Sequence, residues 1–312
     1  MVKYIAKRLV YLVLTLLIIV TTTFFLMKQL PGTPFDTERF SLLPPEQQQQ
    51  VLQKYGLDQP VLVQYGKYLF NLVRGDLGTS FFYTGRTVKD VIFSRIAPSA
   101  LIGAQAVLLG LAVGLTLGII AAWKHNTPID YFTMIVAVLG VSVPNFVVAA
   151  LLQYFVGLKW GILPVAFWKN WACSVLPSIA LSFSATAMFA RFIRTEMLDV
   201  LEQDYIVTAR AKGLSQFQVL MRHAVRNSII PVVTILGPIV VNLLTGSLAI
   251  ESIYSVPGIG SLFVESIKSN DYATIMGLTI FYSAFYIFVT LIVDVLYSVI
   301  DPRIRIQSGK ED

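Results

Sequence analysis

Six stretches of this 312-residue chain are apolar on all sides for long enough to cross a bilayer, and that recurrence limits its fold more than any motif does. They fall at 9–27, 99–122, 131–156, 174–190, 229–250 and 275–300. A helix needs about 20 apolar residues to span the hydrocarbon core. The strands of a membrane barrel would instead alternate apolar and polar residues over about ten positions, and these runs do not alternate. Hydrophobic residues make up 55% of the chain and charged residues only 13%, against about 25% charged in an average soluble domain. The expected fold is therefore an all-α membrane protein with about six transmembrane helices.

The first run follows Lys3, Lys7 and Arg8, as a secretory signal would. It continues without a charge to Lys28-Gln29-Leu30-Pro31 and shows no small-residue cleavage pattern, so it is expected to stay attached as a helix. Orientation follows from Lys and Arg in the short connections. An inside N-terminus puts thirteen of them on the cytosolic side: Lys3, Lys7, Arg8, Lys124, Arg191, Arg194, Arg210, Lys212, Arg222, Arg226, Arg303, Arg305 and Lys310. Only Lys159, Lys169 and Lys268 fall in the short outer connections, and the eight between Lys28 and Arg95 lie in a long loop that translocates with little regard to charge. Both termini are expected in the cytosol. The net charge of +6 then reads as a topology signal and contact with anionic lipid, with no nucleic-acid partner.

Several chemistries are excluded. The lone Cys173 allows no intramolecular disulfide and no cysteine metal cluster. His125 and His223 are about a hundred residues apart, and neither has a second ligand at metal-binding spacing. No G-x-x-x-x-G-K-[ST] run exists, so any ATP used must bind another chain. No cofactor and no enzyme chemistry are expected.

The outer segment 31–98 reads as the nearest thing to a separate module. Pro31-Gly32-Thr33-Pro34 and Leu43-Pro44-Pro45-Glu46 mark turns and a helix start, and glutamines 47 to 50 suit a solvated helix. Val61, Tyr65, Tyr68, Leu69 and Leu72 are at helical spacing, giving an amphipathic helix that lies on the membrane face or packs on its own loop. Within the spans, Gly110, Gly114 and Gly118, flanked by Ala106 and Ala122, form a small-residue stripe that lets another helix approach closely, in this chain or in a partner. Pro144, Pro177 and Pro231 bend or cap helices, beside a pathway or merely in packing. Asn145, Gln153 and Asn242 are polar groups at membrane depth, and Asp294 is an ionisable one with no acidic partner in another span. Its closeness to Asp301 favours a structural role over proton relay, which weakens a proton-coupled transporter.

The largest cytosolic block is 191–227, centred on Asp204-Tyr205-Ile206-Val207-Thr208-Ala209-Arg210-Ala211-Lys212-Gly213. Phe217, Leu220, Met221 and Ala224 share one helical face, expected to lie at the membrane surface, and Met197, Leu201, Tyr205 and Thr208 share a similar one upstream. Gly213 can take the left-handed conformation that ends a helix. Residue chemistry leaves two readings of this block: a helix resting on lipid, or a short helix entering a groove on a soluble partner.

The segment from Asp204 to Gly213, with Leu214-Ser215, resembles the cytosolic coupling loop of binding-protein-dependent ABC importer permeases of the dipeptide, oligopeptide and nickel branch. Further patches match that branch in order: Gly75-Asp76-Leu77-Gly78-Thr79-Ser80, Val143-Pro144-Asn145-Phe146, Leu176-Pro177-Ser178, Ala190-Arg191 with Arg194, Arg222 to Asn227 before Pro231, Glu251 through Tyr254 to Pro257-Gly258-Ile259-Gly260, and Asp301-Pro302-Arg303. The likeness is strongest to the first permease subunit of oligopeptide importers.

The resemblance implies a type I ABC importer permease: 1–30 an N-terminal transmembrane helix, 31–98 an extracytoplasmic loop, 99–300 a five-helix core containing the coupling loop 191–228, and 301–312 a cytosolic tail. It implies a second, homologous permease as heterodimer partner, two cytosolic ATPase subunits and an extracytoplasmic substrate-binding protein. Asp204, Tyr205, Ala209, Arg210, Ala211, Lys212 and Gly213 would couple to the ATPase, with Ala209, Ala211 and Gly213 at the contact and Arg210 and Lys212 on its flanks. Pro144, Asn145, Gln153, Asn242 and Glu251 are the candidate pathway or gating residues. The chain departs from the broader importer pattern at Val207-Thr208-Ala209, where that pattern has Glu-Ala-Ala, and at His223-Ala224-Val225-Arg226, where it has Ile-x-Leu-Pro. The expected function is ATP-driven peptide import across the cytoplasmic membrane. The alternatives are a secondary transporter or channel without an ATPase, or a permease of the same branch for nickel or another small solute.

Overall fold

The computed structural model describes residues 2–29, 40, 42–244 and 247–300. The Pro31-Gly32-Thr33-Pro34 turn, the side chain of Asp294 and the tail from Asp301 onward, with Arg303, Arg305 and Lys310, lie outside what is described. Among the described residues the chain is helical, with no strand beyond a single bridge between Thr79 and Thr87.

The helices are α1 (Val2–Gln29), α2 (Pro45–Lys54), α3 (Val61–Val73), α4 (Val88–Trp123), α5 (Pro128–Ser142), α6 (Asn145–Leu152), α7 (Val175–Leu201), α8 (Asp204–Ala211), α9 (Gln216–Val219), α10 (Arg226–Leu244), α11 (Leu248–Ile253), α12 (Ile259–Lys268) and α13 (Tyr272–Ile300). Five stretches among them are long and apolar enough to cross a membrane: Val10–Gln29, Val88–Trp123, Trp171–Leu201, Ile235–Ile253 and Tyr272–Ile292. The third run, 131–156, is broken at the proline expected to bend or cap it, with a bend of 101° between Pro128–Ser142 and Asn145–Lys159. The cause is Pro144. A proline disfavours helical backbone at the residue before it, and Val143 is extended at φ −83°, ψ 122°. Counted as one span, the pair brings the total to six.

The chain forms two compact units, one of residues 1–97 with 258–287 and one of 98–257 with 288–312. In the first, Val20 and Phe24 of α1 bury against Met276 and Ile280 of α13. Tyr65, Tyr68, Leu69 and Leu72 of α3 pack on that cluster, so the amphipathic helix seen in the sequence rests on spans of its own unit. Val61 does not join them and is 41% exposed. The start of α13 meets the start of α4 at Gly277, where a Cβ would collide with Val88 Cγ1.

The loop 75–80 is built on the same unit. Gly75 and Gly78 have φ of 77° and 83°, a region that costs a side chain but suits glycine. Asp76 accepts the Gly78 N–H at 2.8 Å. Ser80 donates its hydroxyl to Asp271, which also accepts from the Phe81 N–H at 3.1 Å and the Thr274 hydroxyl at 2.7 Å. Asp271 is fully buried, and these donors compensate its charge.

In the second unit α7 is the central helix, with 61% of its apolar window buried against 33% for α4. The small-residue stripe of α4 explains how it is reached. A Cβ on Gly114 would lie 2.6 Å from the Thr186 carbonyl oxygen and 2.8 Å from Phe189 Cβ, and one on Gly118 would strike Ala190 and Ile193. The stripe thus packs on a helix of the same chain, an alternative that spacing left open. Gly103 extends it, facing the backbone of Leu243 and Leu244 in α10. Pro177 sits in the first turn of α7, where its missing N–H has no intrahelical acceptor to lose.

Candidate functional site: a coupling corner and a buried polar fastening

The block 191–227 folds as a helical corner. α7 stops at Leu201, Gln203 turns extended at φ −75°, ψ 147°, and α8 starts at Asp204. A carboxylate in the first turn is favoured by the partial positive charge there. At the other end, the Gly213 N–H donates to the Arg210 carbonyl at 2.9 Å and the Leu214 N–H to the Ala209 carbonyl at 3.4 Å. With Gly213 at φ 77°, those two bonds and the packing of Leu214 beside Ala209 make a complete left-handed helix stop. The chain restarts at once. Ser215 accepts the Gln218 N–H at 3.3 Å, and the Gln218 side chain accepts the Ser215 N–H at 3.0 Å, a reciprocal cap.

Ile206, Ala209 and Val219 bury together in the corner, packed by Val200, Leu201 and Leu214. That core corrects two expectations. The face through Met197, Leu201, Tyr205 and Thr208 does not exist, because the chain breaks at 202–203: Met197 is buried in α7, whereas Tyr205 and Thr208 are exposed. The helix expected to lie on the membrane through Phe217, Leu220, Met221 and Ala224 instead runs through a wide π-type turn, Leu220–Val225, directly into α10. Leu220 and Ala224 are buried, and Phe217 and Met221 stand exposed.

Of the candidate coupling residues, the structure brings Asp204, Tyr205, Arg210, Ala211, Lys212 and Gly213 to the surface and turns Ala209 inward at 5% exposure. The outward side of α8, opposite Ile206 and Ala209, carries Asp204, Val207, Thr208 and Ala211. Val207 is 59% exposed and Phe217 60%. Asn227 in α10 donates to the Tyr205 hydroxyl at 3.2 Å and to the His223 carbonyl at 2.9 Å, tying α8 to the next span.

An ion-pair cluster joins the α4–α5 turn to α7. Arg194 forks onto Asp130, Nε to Oδ1 at 2.5 Å and a terminal nitrogen to Oδ2 at 2.8 Å, and His125 Nδ1 lies 3.0 Å from the same carboxylate. A bidentate pair fixes geometry as well as charge. His125 has no second ligand at metal-binding spacing in the sequence, and in the fold its partner is the Asp130 carboxylate. Among the described residues no group of three potential metal ligands forms.

The candidate pathway residues divide. Pro144 is exposed at the bend, and Asn145 donates to the Ser184 hydroxyl at 3.1 Å while its buried Oδ1 has no partner among the described residues. Gln153 and Glu251 instead fasten α11. Gln153 donates to the carbonyls of Val165 and Ile253, each at 2.9 Å, and the Ser99 hydroxyl donates to Glu251 at 2.7 Å. The Tyr254 hydroxyl adds a bond to the Ala149 carbonyl at 2.8 Å. Asn242 is exposed on α10. Asp130, Ser99 and Asp271 carried no assigned role in the sequence, and Tyr254 stood there only as part of the patch from Glu251 to Gly260. Only Asp271 had a local signal, an Asp three residues before Thr274 at the head of an apolar run.

Residues 114–306 match the family described as binding-protein-dependent transport system inner membrane component, and residues 1–97 match its N-terminal companion. The dipeptide transport system permease protein DppB of Lactococcus lactis subsp. cremoris is 43% identical over 306 residues, covering 98% of this chain and 100% of that protein. The oligopeptide transport system permease protein OppB of Salmonella typhimurium is 43% identical over 309 residues, covering 98% of this chain and 100% of that protein. Among solved structures, the MetNI methionine ABC transporter in an inward-facing conformation aligns with a TM-score of 0.56 at 14% identity, covering 68% of this chain and 96% of the aligned chain. An amino acid ABC transporter with histidines gives 0.54 at 15%, covering 67% and 94%. At those identities the two structures speak for the fold alone.

Proposed function

We propose a mechanism that proceeds from one fact: this chain belongs to the family of binding-protein-dependent transport system inner membrane components. It is a multi-pass protein of the cell membrane and a transport subunit of an ABC importer, not an enzyme. Its cargo is peptide, as the names of its full-length relatives indicate. Membership of that family implies work with other ABC components. The specific assembly we propose is a second, similar permease enclosing the path, two cytosolic ATPases and an extracytoplasmic binding protein, with both termini of this chain in the cytosol.

The observation that carries the coupling proposal is the corner itself. α8 buries Ile206 and Ala209 against Val219, Val200, Leu201 and Leu214, and the short turn at 212–215 joins it to the unbroken helical run through Leu220–Val225 into α10, the fifth span. A force on its outward side, at Asp204, Val207, Thr208 and Ala211, therefore reaches the spans through packed helices. ATP-driven closure of two ATPases gripping such corners would rock the spans between inward-open and outward-open states about a rigid contact. In this reading Ala209 anchors the helix rather than touching the ATPase, and Gly213 sets the turn. The 101° bend, where Pro144 is exposed and Asn145 half-buried, is the better pathway candidate; Gln153 and Glu251 hold the outer part of the path in shape.

Copurification tests the assembly. Tagged chain coexpressed with its partner permease and ATPases is expected to bring down the ATPases, and Val207→Asp to lose them while still inserting in the membrane. Full ATPase recovery with that variant would remove α8 from the contact.

A further inference from the structure

The first compact unit contains a cavity of about 430 Å³ that the coupling mechanism does not use. It is framed by the end of α1, the turn after α2, α3, the 76–81 loop and the first turn of α13. Sites for small molecules commonly measure about 300–1,000 Å³, with apolar walls and a few convergent polar groups. The walls here include the rings of Phe24, Tyr55, Phe81 and Tyr272.

Two polar atoms are buried without a hydrogen-bond partner among the described residues, the Tyr68 hydroxyl and Gln59 Oε1, and both residues line this cavity. Burial pushes the Tyr68 phenol above its ordinary range, so it stays a neutral hydroxyl able to donate and accept. Its neighbours are fixed. Lys28 Nζ donates to Gln64 Oε1 at 2.5 Å, and Gln64 Nε2 donates to the Gln59 carbonyl at 2.7 Å. Lys28 and Lys67 both line the space, and neither is ion-paired to a carboxylate among the described residues. The cavity's own Asp76 has one carboxylate oxygen occupied by the Gly78 N–H.

We propose that this cavity is a binding site for a short peptide on the permease itself, on the extracytoplasmic side in the proposed topology. The two lysines suit the C-terminal carboxylate. Gln59 Oε1 accepts from a peptide N–H, the Tyr68 hydroxyl donates to a peptide carbonyl, and an apolar side chain rests on the aromatic wall. Side-chain amides, Gln53, Gln59, Gln64 and Asn71, dominate the polar lining, and among the described residues no arginine lines it to fork onto a phosphate. The chemistry therefore fits a peptide better than a phospholipid headgroup. The choice of peptide as ligand rests on the importer reading; the cavity and its unpartnered atoms do not.

The test is equilibrium binding of the tripeptide Ala-Ala-Phe to the full-length chain in nanodiscs. Saturable binding at one peptide per chain is expected, weakened about tenfold by Tyr68→Phe, which removes only the hydroxyl, and similarly by Lys67→Met or by amidating the peptide. No binding to the unaltered chain, or binding unmoved by both variants and by amidation, overturns the proposal. So does displacement of the peptide by glycerophosphoglycerol at concentrations where a second tripeptide fails to compete. Uptake of the same peptide by the reconstituted importer is measured in parallel: uptake without cavity binding overturns this inference alone, and no ATP-driven uptake of any peptide overturns the importer reading alone.

Discussion

At the scale of single residues, two positions without cargo chemistry fix the geometry that the proposed mechanism needs. Asp271 collects Ser80, Phe81 and Thr274 around a buried carboxylate, pinning the 75–80 loop to the head of α13. Replacing it with alanine leaves those donors unpaired and is expected to cost about 1–3 kcal/mol for each buried donor stranded. Thermal unfolding of the purified chain reads this as a lowered midpoint, larger than for Asp271→Asn, and an unchanged midpoint for both variants would contradict it. Gly213 meets nothing within 4 Å at a hypothetical Cβ, yet its φ is +77°. The penalty there is conformational, about 1–2 kcal/mol for a residue with a Cβ and more for a β-branched one. Gly213→Val is expected to abolish peptide uptake with membrane insertion intact, and Gly213→Ala to reduce it less; normal uptake by the valine variant counts against the corner's role. The left-handed stop at Gly213 was legible in the sequence because a glycine after a basic helix end is a local signal. Asp130 was not: it matters through Arg194, 64 positions away, and His125, which become its partners only on folding.

At the scale of elements, helix identity was readable and helix direction was not. Apolar length placed the spans and Pro144 marked a bend or cap, but the 101° angle of the break and the merging of 216–225 into α10 depend on backbone turns that periodicity does not encode. The same holds for the face of α8: a stripe at helical spacing assumed one continuous helix, and the corner at Glu202–Gln203 rotated the pattern, burying Ala209. The glycine stripe of α4 went the other way, its spacing sufficient to predict close approach and the partner, α7, visible only in the fold. Gly114→Leu would drive a side chain into Thr186 and Phe189 backbone and Cβ atoms. It is expected to separate α4 from α7, with overpacking of about 1–3 kcal/mol or more, read as aggregation or lost monodispersity in detergent; Val113→Leu, on an exposed part of the same helix, is the control. A monodisperse Gly114→Leu chain with a wild-type melting curve would contradict the packing.

At the scale of the whole molecule, the 201–219 corner, the bent third span and the buried fastening of α11 make a body suited to being moved rather than to binding nucleotide. No P-loop motif occurs in the chain, so the proposed energy source is another subunit and the proposed transmission is mechanical. A channel or secondary transporter would work without it. Reconstitution of the chain with its partner permease, ATPases and binding protein in liposomes, measuring uptake of a labelled oligopeptide, separates the two most directly. Accumulation that requires both ATP and the ATPases, and that Val207→Asp abolishes, is the predicted result. Peptide uptake by the permeases alone, without ATPase or ATP, would contradict it.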